Sequence, residues 1–170
     1  MKGHWAPALK VAISYPESRN FFDKTIRDSD KIAFTGNPIR KEIITPLSNG
    51  AREFLNLEEG LPTIFVIGGS QGSQKINETI IDGLAELLSR YQIIHQTGRK
   101  NIHSINETVK VIFGSDKNFH RYHTFDYLDD LTLRMAAGIS DIIVSRAGSG
   151  IFEIAAWGIP SIIIPLPSEI

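Results

Sequence analysis

The chain has 170 residues, of which 42% are hydrophobic and 22% charged, enough apolar material for a buried core and too much for a disordered polymer. Its formal net charge of -1 gives no bulk electrostatic drive toward nucleic acid, and the absence of cysteine excludes disulfides, thiolate metal sites and a cysteine nucleophile. No apolar run reaches the length of a membrane span, so the expectation is a cytoplasmic α/β protein.

In chain order, "KVAISY" (10–15) and "KIAFTG" (31–36) read as strands with little helix around them. Two strands in about sixty residues are too few for an independent core, so this region is expected to be a fragment or an arm. Thr45 to Pro62, "TPLSNGAREFLNLEEGLP", reads as a linker with at most a short helical turn. From Thr63 onward the strand-like runs "TIFVI", "QIIHQ", "VKVIF", "HTFDYL", "DIIVS" and "SIIIPL" alternate with helical segments. That alternation predicts a parallel sheet covered by helices.

Between Ser73 and Leu88, Ile76, Ile80, Ile81, Leu84, Leu87 and Leu88 recur at helical spacing and predict one amphipathic helix. Asp129 or Asp130 caps a further helix through Ala137. Ile151, Ile154 and Ala155 repeat the helical pattern until Gly158 and Pro160 end it.

"TIFVIGGSQGSQKIN" (63–77) carries a strand through a bare turn into a helix. In a parallel sheet such a turn lets backbone N–H groups and a helix dipole meet an anion beyond the carboxyl ends of the strands. It is not a Walker A loop, because Lys75 follows Gln74 and Ile76 occupies the place of the magnesium-binding hydroxyl. Gly68, Gly69 and Gly72 also miss the dinucleotide spacing. "DIIVSRAGSGIFE" (141–153) is a second strand–turn–helix of the same kind, with Arg146 at its strand end. Two such turns on one sheet edge are placed to grip a large anionic ligand; the alternative is a pair of tight turns without one.

Glu153 lies in a helix first turn, where a capping box would want Ser or Thr three residues earlier; position 150 is Gly. A carboxylate beside a glycine turn instead suits the two hydroxyls of a ribose. His120 and His123 lack a third ligand nearby and are expected to face solvent. His95, Gln96 and Arg99 either approach the cleft or are satisfied in the core. Asp129 and Asp130 offer a catalytic carboxylate pair, but adjacent residues at a helix start normally cap it and face apart, and Phe125, Tyr127, Phe152 and Trp157 are read as core.

"GNPIR" (36–40), "GGSQGSQKIN" (68–77), "IIHQTG" (93–98), "FDYLDDL" (125–131) and "SRAGSGIFEIAAWGIPSIIIPLP" (145–167), in that order, resemble the MurG family of peptidoglycan glycosyltransferases, glycosyltransferase family 28. The resemblance implies a GT-B enzyme in which a Rossmann-like parallel sheet with helices on both faces binds UDP-N-acetylglucosamine. Residues 63–170 would be that domain, truncated at its C-terminus, and residues 1–44 the remnant of an N-terminal acceptor domain and hinge. Carried over by position, Gly69, Ser70, Gln71 and Gly72 meet the diphosphate or nucleoside, Leu128 belongs to the uracil pocket, and Arg146, Gly148 and Ser149 line the nucleotide site. Glu153 matches the ribose-binding glutamate, and Arg40 faces the donor sugar or its phosphates.

The family transfers N-acetylglucosamine to an undecaprenyl-linked muramyl-pentapeptide, as a peripheral enzyme at the inner face of the cell membrane. The resemblance implies no cofactor, no obligatory metal and no nucleic acid partner. It places the catalytic base in the N-terminal domain, so this chain is expected to bind the donor without transferring sugar, and to self-associate through truncated faces. One residue fewer separates Arg146 from Glu153 than in the commonest form of the motif. The alternatives are a donor-binding subunit of a split GT-B enzyme and a non-catalytic sugar-nucleotide-binding protein.

Overall fold

The computed structural model describes residues 10–68 and 73–165. The chain divides into two compact units, Met1–Ile39 and Arg40–Ile170.

In the first unit, strands β1 (Val11–Ile13) and β2 (Ile32–Phe34) pair in parallel with Val11 opposite Ile32. A 3-10 turn (Pro16–Phe21) and the one-turn helix α1 (Lys24–Arg27) connect them. Ile13 is the one buried residue among the described residues of this unit. Phe21 and Phe34 are exposed, as expected where two strands have no covering layer of their own.

The second unit is a five-stranded, all-parallel sheet in the order β5-β4-β3-β6-β7, made of β3 (Thr63–Ile67), β4 (Gln92–Gln96), β5 (Tyr122–Phe125), β6 (Ile142–Arg146) and β7 (Ser161–Ile164). Alternation along the strands feeds two cores. Phe65, Ile94 and Ile143 point to one face, where they meet Leu133, Ala136, Ile154 and Trp157. Ile64, Val66 and Ile93 point to the other, against Ile76, Ile80, Leu84, Leu88, Ile105 and Val109. Burying each such aliphatic or aromatic side chain contributes roughly 1.5–3 kcal/mol relative to leaving it in water.

Helices α3 (Gln74–Asp82), α4 (Leu84–Leu88) and α5 (Ile102–Phe113) cover the second of these faces, and α6 (Asp130–Gly138) and α7 (Gly150–Trp157) the first. The helix expected over 73–88 is broken at Gly83, which puts two short helices in place of one. "VKVIF", read above as a strand, is the last turn and a half of α5. Its five residues form a short apolar run like a strand, but with Ile102 and Ile105 they complete a helical spacing that buries Ile105 and Val109 and leaves Val111 in solvent. Asp129 is the N-cap of α6, accepting from the Thr132 amide at 2.8 Å. Gly158 ends α7 in the left-handed region at φ 68°.

Residues 45–62, read as a linker, join the core of the second unit. They include α2 (Ala51–Phe54), and Leu55 and Leu57 add their side chains to the α6–α7 face. The preceding Ile43 is fully buried, and its carbonyl accepts from the Trp157 indole at 2.8 Å. Arg134 of α6 donates to Thr45 O at 2.8 Å, and its own carbonyl accepts from the Leu47 amide at 2.9 Å. At the end of α6, Gly138 lies against the Leu47 backbone so closely that a Cβ would overlap the Leu47 carbonyl.

Candidate functional site at the carboxyl edge of the sheet

The chain runs outward from β3 through β4 to β5, then returns to the other side of β3 for β6 and β7. The helices change face at the same point. Strand order therefore reverses between β3 and β6, which pair in parallel with Ile67 opposite Ser145. In open α/β sheets this switch point opens a crevice at the carboxyl ends of the strands. The two glycine-rich segments are the continuations of these two adjacent strands, so both leave the sheet at one edge. Gly69, Ser70, Gln71 and Gly72 lie outside the described residues.

The segment after β6 is tight. The Ala147 amide donates to Ile164 O, and the Ile151 and Phe152 amides donate three residues back, to Gly148 O and Ser149 O. Ser149 is the N-cap of α7 without a side-chain cap bond. Gly148 and Gly150 both have ordinary φ, and a Cβ on either would meet no other atom within 4 Å. The fold itself therefore does not demand glycine at either position. The small residues leave open space above the start of α7.

Arg40, Asp130 and Glu153 come together there. Arg40 Nη1 donates to Asp130 Oδ1 at 2.7 Å, and its Nε and Nη2 both lie 3.4 Å from Glu153 Oε1. Asp130 opens α6 and Glu153 sits in the first turn of α7, where helix dipoles favour carboxylates. The Arg40 and Asp130 side chains are about half exposed and Glu153 is 24% exposed, so water reaches the cluster. The structure thus brings two of the expected site residues, Arg40 and Glu153, into contact and adds Asp130, which the sequence reading had weighed as one of a carboxylate pair and favoured as a cap. Arg146 ends β6 partly buried and forms no ion pair among the described residues.

The Leu128 side chain is 3% exposed and packs in the core with Phe65 and Leu133. Tyr127, expected in the core, is instead 42% exposed, with the Arg99 guanidinium 5.2 Å from its ring centroid. Trp157 is buried as expected, and Phe125 packs partly buried against the same core.

His95 is fully buried, and desolvation pulls its pKa down to about 4. Its ring bonds Tyr122 OH at 2.7 Å and Asn77 Oδ1 at 3.0 Å. It is a satisfied core residue. Asn77 was missed by sequence reasoning, although its place one helical turn from Ile80 and Ile81 and two from Leu84 marked a polar residue on an apolar face.

His120 is exposed and bonds Glu58 at 2.7 Å, which Arg121 also holds at 2.8 Å; both hydrogen bonds lower the Glu58 pKa. His123, expected in solvent, is partly buried, and burial lowers its pKa. Among the described residues no group of three His, Asp or Glu side chains is arranged to hold a metal ion.

A parallel sheet wound on both faces, with glycine-rich segments following both strands of its switch point, is the doubly wound α/β architecture that GT-B glycosyltransferases share with many other α/β proteins. The model for the glycosyltransferase family 28 C-terminal domain matches residues 63–170, and the chain belongs to that family. A relative from Thermodesulfovibrio yellowstonii, named UDP-N-acetylglucosamine–N-acetylmuramyl-(pentapeptide) pyrophosphoryl-undecaprenol N-acetylglucosamine transferase, is 37% identical over 165 residues, covering 94% of this chain and 41% of its own length. One of the same name from Halothermothrix orenii is 35% identical over 161 residues, covering 93% and 42%. The chain therefore spans about two fifths of these relatives' length. Among solved structures, MurG from Acinetobacter baumannii superimposes with a TM-score of 0.57 at 20% identity, covering 84% of this chain and 39% of that one. A glycosyltransferase from Rickettsia africae gives 0.61 at 20% identity, covering 91% and 44%. These two likenesses carry the fold.

Proposed function

We propose that this chain is the donor-binding part of a MurG-type transferase and holds UDP-N-acetylglucosamine at the β3–β6 switch point. The observation that carries the reading is the exit of both glycine-rich segments from adjacent parallel strands, beside a cluster that contains Arg40 and Glu153. Glu153 takes the ribose hydroxyls once a nucleotide draws Arg40 toward its phosphates. Gly148 and Ser149 leave room for the backbone approach that such a ligand needs, and Arg146 supplies a further cation. Gly69 to Gly72 meet the diphosphate, and Leu128 contributes to the uracil pocket.

In the whole enzyme, the acceptor hydroxyl of the undecaprenyl-linked muramyl-pentapeptide displaces UDP from the anomeric carbon. Helix N-terminal dipoles and arginine offset the charge gathering on the leaving diphosphate. The reading requires no metal or other cofactor for binding and assigns the proton acceptor to the acceptor-binding domain. It places the enzyme at the inner face of the membrane as a peripheral protein; among the described residues no helix is long and apolar enough to cross a bilayer. Exposed Ile162 and Ile163 on the edge strand β7 are its candidate surface for self-association.

Calorimetric titration of this chain with UDP, with and without EDTA, tests the reading. Saturable binding insensitive to EDTA, weakened about tenfold or more by Glu153→Ala, is expected. No measurable UDP binding, or binding indifferent to that substitution, overturns it. Sugar transfer by the chain alone would refute the assignment of the base to the other domain.

A further inference from the structure

The two carboxylates around Arg40 hold its guanidinium unequally. Asp130 Oδ1 accepts from Nη1 at 2.7 Å, the length of a good charge-assisted hydrogen bond. Glu153 offers a single oxygen, Oε1, to both Nε and Nη2, each at 3.4 Å and near the geometric limit for such a bond. The Glu153 contact is therefore the one that a ligand displaces first.

The contacts also use different parts of the group. Nε and Nη2 form the side edge of the guanidinium, whose two parallel N–H bonds match a pair of carboxylate or phosphate oxygens. Glu153 rests on that edge without filling it, because both bonds converge on one oxygen. Asp130 takes the remaining nitrogen and leaves the edge open to exchange.

Local structure fixes both ends of this arrangement. Asp129 makes the cap bond of α6, from the Thr132 amide at 2.8 Å, so the neighbouring Asp130 carboxylate is free to serve Arg40. The Arg40 carbonyl accepts from the Ile43 amide at 3.3 Å, and Ile43 is buried with its own carbonyl on the Trp157 indole. The root of the Arg40 side chain is thus tied to α7 and its tip to α6. Without the second tie, a long side chain with 46% of its surface exposed would have to be ordered by the ligand, at a cost in rotamer entropy.

We propose that Asp130 is a positioning residue for the anionic part of the donor: it anchors Arg40 by Nη1, so that the guanidinium pivots on this bond and presents its Nε–Nη2 edge to anionic oxygens of the nucleotide when Glu153 turns to the ribose. The inference rests on the nucleotide reading above. It gives the two carboxylates different tasks, since Glu153 exchanges its partner and Asp130 keeps its own.

The test is a double-mutant cycle on UDP affinity, read by ligand-observed NMR titration of wild type, Asp130→Asn, Arg40→Ala and the double variant, with urea unfolding of the same four proteins. Both side chains are about half exposed, so all four are expected to fold with similar midpoints. Arg40→Ala is expected to weaken UDP about tenfold, and Asp130→Asn to weaken it about threefold or more while Arg40 is present. In the Arg40→Ala background Asp130→Asn should not weaken UDP at all, because an anchor with nothing to hold only repels the anion. A merely structural Asp130 predicts the same loss in both backgrounds, and that result overturns the inference. No loss, or a gain, on Asp130→Asn beside an intact Arg40 also overturns it, a gain marking Asp130 as a competitor of the ligand, and so does UDP binding indifferent to Arg40→Ala. In each of those cases UDP binding that still depends on Glu153 leaves the nucleotide reading standing. Wild type that does not bind UDP, or binds it regardless of Glu153→Ala, removes the nucleotide reading and the inference with it.

Discussion

Two polar clusters on the same sheet obey opposite rules. Tyr122, His95 and Asn77 are sealed between the sheet and two helices, carry no net charge and have every buried side-chain polar atom paired. Arg40, Asp130 and Glu153 carry full charges in contact with water. Inside, a lost partner cannot be replaced by solvent, so each bond is costly to break. At the surface, water and salt substitute for a missing partner at little cost. Burial thus makes the first cluster a fixed part of the scaffold and leaves the second free to exchange partners with a ligand.

The largest effect expected is from His95→Leu, which leaves the Tyr122 hydroxyl and Asn77 Oδ1 without partners. A loss of about 3 kcal/mol in urea unfolding is expected. A loss below about 1 kcal/mol would mean that water reaches the chain and that the contrast between the clusters is false.

Acid tests the same burial in a different way. The His95 pKa is about 4 in the folded protein against an ordinary 6.5, so the unfolded chain binds the extra proton between those values. The stability associated with neutral His95 is fully present above about pH 6.5 and is lost as pH falls toward 4, by at most about 3 kcal/mol. His123, also lowered by burial, acts in the same direction, and the lowered carboxyls of Glu58 and Asp129 add to the loss at more acid pH. The pH 7 to 4.5 stability difference should therefore be smaller in His95→Leu than in wild type. Equal slopes would show that His95 titrates normally.

Much of the fold was legible in the sequence, but the contrast between the two clusters was not. The alternating sheet, a cap at Asp129 or Asp130 and the Gly158 stop follow from local spacing and backbone chemistry; the sheet and the stop stand in the structure, which makes Asp129 the cap. "VKVIF" misled because a five-residue window cannot separate a short strand from the end of a helix whose register is set by Ile102 and Ile105. The Asn77–His95 bond joins residues 18 apart and the Arg40–Glu153 pair residues 113 apart. No local pattern encodes either. Only strand order brings them together, and strand order is decided by how the helices cover the two faces. Glu153 could be singled out because a capping box was missing and Arg40 because the family resemblance carried it over, but their contact emerged only from tertiary structure.

Glycine 138 sharpens the comparison from the exposed side. The segment carrying Arg40 is anchored by the close passage of Leu47 against α6 and by the Trp157–Ile43 hydrogen bond, rather than by its ions. Gly138→Ala drives a Cβ into the Leu47 carbonyl and should destabilise by about 2 kcal/mol in the same urea assay. Wild-type stability in this variant would show that the spacing between the Leu47 segment and α6 yields easily, and that the segment is less firmly placed than its buried contacts indicate.

The smallest effect on stability belongs to the ionic cluster itself. Arg40 has nearly half its side chain in solvent, Asp130 likewise, and Glu153 a quarter. Coulombic attraction is screened there, and holding a long arginine in one rotamer costs entropy. A double-mutant cycle between Arg40→Ala and Glu153→Gln should therefore give a coupling below about 1 kcal/mol, diminishing further in high salt. A weak coupling is what the ligand-binding role requires, because a nucleotide must separate the pair before the carboxylate can accept ribose hydroxyls. A salt-insensitive coupling above about 2 kcal/mol would identify the pair as scaffold; the energy needed to part it would then count against nucleotide affinity, and the two clusters would no longer differ in kind.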